Sequence, residues 1–208
     1  MIFALLEETV NKAIALQAQL TDERKATLEE LMEYVVGKVK NGEEVRLNFI
    51  CTHNSRRSHL SQVWAQTAAA YYQIPKVTTY SGGTEATAFN VNAVEALRRA
   101  GFSIMVVEEG ENPVYEVDFG EPENTFTTFS KVYDDEANPK ENFAALMTCN
   151  HADENCPFIP GAEKRIKLTY EDPKLFDGTK LETRKYSERS DQIASELLYA
   201  FGEVKKRV

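Results

Sequence analysis

The chain has 208 residues, 42% hydrophobic and 27% charged, with a formal net charge of −9, enough for one α/β domain with a full core or a smaller domain with extensions. The acidic balance argues against nucleic-acid binding, which needs a basic face, but allows a local positive site for a small anion. No apolar run reaches membrane-span length, the start MIFALLEE lacks a basic leader, and three cysteines do not make an extracellular disulfide framework, so a cytoplasmic protein without membrane contact is expected.

Residues 3–20 predict an amphipathic helix, with Phe3, Leu6, Val10, Ala13, Ile14 and Leu20 at helical spacing and Gln17 interrupting the stripe. A second helix starts at Thr21 as N-cap, carries Asp22 and Glu23 in its first turn, and ends at Asn41-Gly42. Its apolar face is Leu28, Leu31, Met32, Val35, Val36 and Val39. Residues 1–44 therefore read as an N-terminal helical extension, docked on the core or on a second subunit, which leaves a homodimer open. The remaining 45–208 read as an α/β domain. VRLNFI (45–50) is a strand, 58–72 a helix stopped by Pro75, and KVTTYSGG (76–83) a second strand. A helix over 90–100 is capped by Asn90 and closed by Gly101. FSIMVV (102–107) is expected as the third strand and FAALMTC (143–149) as the fourth. Between them VYEVDF and TFTTFSKVY alternate as an inserted β-hairpin does, around a Gly/Pro/Asn turn. A last helix over 180–204 points Tyr186, Ile193, Leu197, Phe201 and Val204 inward. Strands alternating with helices give the fold class: α/β, a central four-stranded parallel sheet flanked by helices.

The stretch FICTHNSRRSHLSQVW (49–64) holds the first candidate site. Ligands of open parallel sheets bind beyond the carboxyl ends of the strands, which is where Cys51 falls. The loop Thr52, His53, Asn54, Ser55, Arg56, Arg57, Ser58 leads into a helix, so its N–H groups can cradle an anion with the helix N-terminus behind them. Arg57 adds a planar bidentate grip on a tetrahedral oxyanion. The same field, with a hydrogen bond from Ser58, favours the nucleophilic thiolate of Cys51. Asn54 tolerates left-handed φ and is expected to bond its own backbone. A bare C-x5-R is weak; C-x5-R-S between a strand and a helix is much stronger.

Cys149 ends the expected fourth strand, on the same edge of the sheet, and CNHADENC puts six residues between it and Cys156. A surface loop there can bring the two sulfurs together, and three thiols can then form a relay, in which Cys51 attacks the oxyanion, Cys149 attacks Cys51 and Cys156 attacks Cys149; the alternative is a pair of ordinary cysteines in a mobile loop. With His151 the two cysteines form an incomplete metal tetrahedron, so no metal is expected. Asp172 in YEDPKLF is the candidate acid for the leaving oxygen, and Asp-Pro also starts turns.

CTHNSRRS together with SGGTEATAFNVNAVEALRRAGF resembles the low-molecular-weight protein tyrosine phosphatase superfamily. CNHADENCPFIPGAEKRIKLTYEDP resembles its redox branch, the thioredoxin-coupled arsenate reductases, over about residues 45–204. The paired cysteines, with Pro157 following, are the more specific element. The resemblance implies Cys51 as nucleophile, Arg57 as oxyanion clamp, Ser58 as thiolate donor, Cys149 and Cys156 as relay and Asp172 as acid. It implies arsenate or a phosphate-type oxyanion as ligand, thioredoxin as partner and no cofactor. The alternative is a protein tyrosine phosphatase hydrolysing phosphomonoesters through a Cys51 phospho-enzyme, which needs neither Cys149 nor Cys156. A third reading is a non-enzymatic anion or redox sensor. His53 stands where the family usually has glycine. Gln62 replaces a carboxylate that helps bind potassium in some reductases, so that ion is not expected. DPKLFDG offers Lys174 and Phe176 where the phosphatases commonly carry tyrosines.

Overall fold

A computed structural model describes residues 2–121, 124–156 and 158–208. Pro122 and Glu123, in the expected hairpin turn, and Pro157 lie outside the described residues. The elements are α1 (Ala4–Leu16), α2 (Asp22–Lys40), β1 (Val45–Cys51), α3 (Arg57–Tyr71), β2 (Val77–Gly83), α4 (Val91–Ala100), β3 (Ser103–Glu108), β4 (Val114–Asp118), β5 (Thr125–Thr128), β6 (Phe143–Met147), α5 (Asn150–Asn155), β7 (Ala162–Lys167) and α6 (Glu182–Arg207). The helix ends obey local chemistry. Thr21 accepts the Arg24 N–H at 3.2 Å, Asn90 caps α4, and Gly101 closes it at φ 109°.

The central sheet has the order β2-β1-β6-β7, all neighbours parallel. β1 and β6 are its inner strands and are buried almost throughout, as a parallel sheet covered on both faces requires. Four parallel strands are what the sequence predicts, but their membership differs. FSIMVV leaves this sheet and forms β3 of a separate antiparallel sheet, β3-β4-β5, with the inserted hairpin. Its exposed Met105, Val106 and Val107 explain why, since a strand in the parallel sheet would bury them. The fourth place goes to AEKRIK as β7, an edge strand. Its charged side chains hide it from a search for apolar runs, and an edge strand tolerates them.

α6 is the spine of the helical layer, lying against α1, α2, α3 and α4. It buries all five residues expected to point inward, and Trp64 of α3 donates to Ser190 at 2.9 Å across that contact. The N-terminal helices share this core: Leu6, Val10, Leu28, Leu31 and Val35 belong to one buried cluster with Leu47, Trp64 and Leu197. Arg24 of α2 fixes the seam. Its guanidinium stacks 4.8 Å over the Tyr170 ring and pairs at 2.6 Å with Glu196, which is 1% exposed. No described helix is long and apolar enough to cross a membrane.

Removing one partner of a buried pair strands the other charge. Arg24→Met, which keeps the packing stem, is expected to cost about 3 kcal/mol of stability, read as a lower urea midpoint. Adding Glu196→Leu should recover most of the loss. An unchanged midpoint in the single variant would refute the role given to this pair.

Candidate active site

β1 ends at Cys51 and α3 begins at Arg57, so the intervening loop lies at the carboxyl edge of the sheet. Its carbonyls are bound on the outside. Cys51 O accepts from the Thr84 N–H (3.1 Å), Thr52 O from Glu85 (2.8 Å), His53 O from the Thr87 and Ser130 hydroxyls, and Ser55 O from Asn90 (2.8 Å). In a trans peptide the N–H points opposite to the C=O, so the following amides turn toward the loop's interior. Only glycine fits at position 83, because a Cβ there would sit 2.6 Å from the Asn54 nitrogen and 2.7 Å from the Thr52 oxygen.

Asn54 adopts φ 43°, the left-handed conformation expected of it. Its side chain does not bond its own backbone as the sequence suggests; the amide donates to Ser58 Oγ (2.8 Å) and accepts the Lys131 N–H (2.8 Å). The reason is tertiary, since the segment after β5 delivers an N–H donor to it. Cys51 Sγ, in a residue 3% exposed, lies 3.1 Å from Ser58 Oγ. With Asn54 already donating to that oxygen, the Ser58 proton is free to point at the sulfur.

A narrow cleft is lined by Cys51, His53, Ser55, Arg56, Arg57 and Asp172. Arg57 donates to the Tyr170 carbonyl (3.1 Å) and to Asp172 Oδ2 (2.7 Å), and its buried Nε has no acceptor among the described residues. Asp172 thus stands at the cradle, where its carboxylate occupies the guanidinium that an incoming oxyanion would take. It also caps the turn Pro173–Phe176, the turn-starting role expected of Asp-Pro. Arg56 turns its side chain to α6, donating to Tyr186 OH at 2.8 Å, while Tyr186 donates to Asp177 at 2.8 Å. Burial, then the Asp177 carboxylate, push Tyr186 up to about 12, so it keeps that proton. What Arg56 has left for an anion is chiefly its backbone.

All three cysteines are free thiols. The 149–156 segment is not the surface loop expected from the sequence. It is the short helix α5, with Cys149 at its N-cap and Cys156 at its C-cap. Cys149 accepts the Ala152 N–H at 3.3 Å and is 1% exposed. A cysteine side chain can cap, and Ala152 inside the apolar cluster pulls the segment inward. Cys51 and Cys149 share that buried cluster, with Cys156 packed against it. Thr52 Oγ1 contacts Cys149 Sγ (3.4 Å) and His151 Nδ1 (3.3 Å), so His151 faces the cradle loop rather than completing a metal set. Burial pushes the Cys156 thiol up. Among the described residues no group of three or more His, Cys, Asp or Glu is placed to hold a metal.

The sequence reading missed the floor of the cradle. His59 is fully buried, stacked 4.0 Å from Phe89, with Nδ1 facing the hydroxyls of Thr128 (3.1 Å) and Ser81 (3.3 Å). Gln62 accepts from Thr128 at 3.0 Å. Lys131 is buried, donates to the Phe129 carbonyl and is pushed down to about 8 by desolvation. The alternation of TFTTFSKVY that predicts the hairpin also puts Thr128 and Ser130 on an inward face, the one signal available for them.

No family model matches the chain. Curated relatives include the arsenate reductases of Halalkalibacterium halodurans, 29% identical over 63% of this chain and 76% of the relative, and of Bacillus licheniformis, 28% identical over 74% and 93%. Among solved structures, a low-molecular-weight phosphotyrosine phosphatase from Vibrio cholerae O395 aligns with TM-score 0.51 at 13% identity, covering 76% of this chain and 95% of that one. A YwlE mutant from Bacillus subtilis aligns with TM-score 0.50 at 16% identity, covering 78% and 99%. The fold is thus that of the low-molecular-weight phosphatases, with a cysteine and an arginine at the strand-to-helix loop. The curated sequence relatives are arsenate reductases and the fold is that of the low-molecular-weight phosphatases, so the chain is similar to the low-molecular-weight-phosphatase-like arsenate reductases.

Burial, then the nearby Lys131 charge, hold His59 well below the usual histidine range. The unfolded chain regains an ordinary histidine at about 6.5, so below that pH it binds a proton the folded chain refuses. Stability should therefore fall as pH drops through and below about 6.5, by about 1.4 kcal/mol per unit at full slope. Urea midpoints of the parent and His59→Gln, compared at neutral and mildly acid pH, check this. A parent-to-variant difference independent of pH would contradict it.

Proposed function

We propose that the protein reduces arsenate to arsenite through Cys51, with Cys149 and Cys156 as a disulfide relay regenerated by thioredoxin. The sequence relatives and the fold support arsenate reduction or phosphatase-type chemistry on a phosphate-like oxyanion. The relay is carried by the gathering of three free thiols at the carboxyl edge of β1 and β6. A hydrolase has no use for the second and third.

In this reading the loop amides of residues 52–58 and the Arg57 guanidinium hold the oxyanion, displacing Asp172 from Arg57. The Cys51 thiolate attacks arsenic, and Asp172 protonates the oxygen that leaves as water. Cys149 then attacks the Cys51 sulfur. The S–S bond forms, the S–As bond breaks, and the electron pair stays on arsenic, which departs as arsenite. Cys156 attacks Cys149 and returns the Cys51 thiolate. Two thiols are oxidised to one disulfide as arsenic(V) becomes arsenic(III), and a thioredoxin dithiol reduces the disulfide.

The phosphatase reading keeps one observation in its favour: Cys51, Arg57 and Asp172 line one cleft and are a sufficient set for phosphomonoester hydrolysis. Cys149→Ser and Cys156→Ser separate the two. Each should abolish multiple-turnover arsenate reduction with thioredoxin, while single turnover of the parent consumes two thiols. Full turnover in both variants would end the relay reading. Aryl-phosphate hydrolysis indifferent to Cys149→Ser, without arsenate reduction, would establish the phosphatase.

A further inference from the structure

We propose that His151 is the proton acceptor for the Cys149 thiol, acting through the Thr52 hydroxyl as a positioning residue. The inference rests on the relay reading for its purpose, but the geometry stands apart from it. Thr52 Oγ1 lies 3.4 Å from Cys149 Sγ and 3.3 Å from His151 Nδ1, and is the one hydroxyl shared by the two.

A hydroxyl both donates and accepts, so this chain has two complete proton arrangements. In the first, Cys149 S–H donates to Thr52, whose O–H donates to a neutral His151. In the second both protons have moved one place. Imidazolium Nδ1–H donates to Thr52, and Thr52 O–H donates to the Cys149 thiolate. No hydrogen bond is lost between them. The Ala152 N–H, 3.3 Å from the sulfur, is an added donor that favours the second arrangement. Cys149 is buried while His151 is exposed, so the proton taken from a thiol without direct access to water is handed to solvent. In the second arrangement Cys149 meets the Cys51 sulfur as a thiolate.

Other titratable groups surround the pair. Cys51 comes from β1, His53 and Glu85 flank Thr52, and Cys156 closes α5 with Tyr133 packed nearby. Asp153 on α5 is committed to Arg165 (2.6 Å) and Lys167 (2.9 Å) of β7, and Glu154 stands on the same helix. His151 is the group whose nitrogen meets the bridging hydroxyl.

The test uses the full chain carrying Cys51→Ser and Cys156→Ser, which leaves Cys149 as the sole thiol, and follows its ultraviolet thiolate absorbance against pH. With His151 present the midpoint should lie at least about one pH unit below that of the same protein with His151→Gln. Thr52→Val should remove the difference and Thr52→Ser should keep it. Equal midpoints with and without His151 overturn the proposal. The titration contains no arsenate, so the two ideas fail separately. A shifted midpoint without arsenate turnover removes the proposed reaction and leaves His151 its role; equal midpoints beside intact turnover do the reverse.

Discussion

The site depends on one residue held where side chains seldom go. Asn54 turns the backbone to φ 43°, a conformation that asparagine tolerates better than most residues. Its amide then bonds Ser58 on one side and the Lys131 backbone on the other. With that hydrogen bond made, the Ser58 proton is left free for the Cys51 sulfur 3.1 Å away, so the backbone angle at Asn54 places a hydroxyl beside the thiol. These groups are buried, and leaving any of them unmade would cost about 1–3 kcal/mol. The turn is stable because every bond around it is made at once.

Pieces remote in sequence make those bonds. The segment after β2 takes the loop carbonyls, and the end of β5 and the segment after it contribute Thr128, Ser130 and Lys131 beneath the loop. The N-terminal helices reach the same place indirectly. Arg24 stacks on the ring of Tyr170, whose carbonyl accepts from Arg57, two residues before Asp172. The N-terminal helices and the insert therefore both bear on the cradle loop or on Arg57 beside it. Anion-site geometry in this chain is a property of the whole fold.

How much of this is legible in the sequence follows from how local each feature is. Cys51, Arg57 and Ser58 are readable because a strand, a tight loop and a helix N-terminus are consecutive, so spacing alone places them together. The amphipathic helices are readable because Leu28, Leu31 and Val35 announce a face. β7 is hidden because an edge strand keeps Lys164, Arg165 and Lys167, and β3 is misleading because its apolar run is exposed instead of buried. The partners of Asn54 and His59 are invisible for a different reason. Lys131 and Thr128 lie 77 and 69 residues away from them, and no local pattern encodes such a contact.

The relation between Cys149 and Cys156 is local but turns on the helix between them. Seven helical steps separate their α-carbons by about 10 Å, and a disulfide needs them within about 7 Å. The proposed relay would therefore require α5 to open. The structure makes that opening easy. The helix has six residues, short of what holds a helix on its own. Its N-terminal cap is the Cys149 sulfur itself, accepting from Ala152. Once that sulfur bonds to Cys51 it no longer has the freedom to cap, and the first turn loses its acceptor at the moment Cys156 must approach. On this reading the attack by Cys149 weakens the helix that keeps Cys156 away, and the order of the two thiol exchanges is built into the cap.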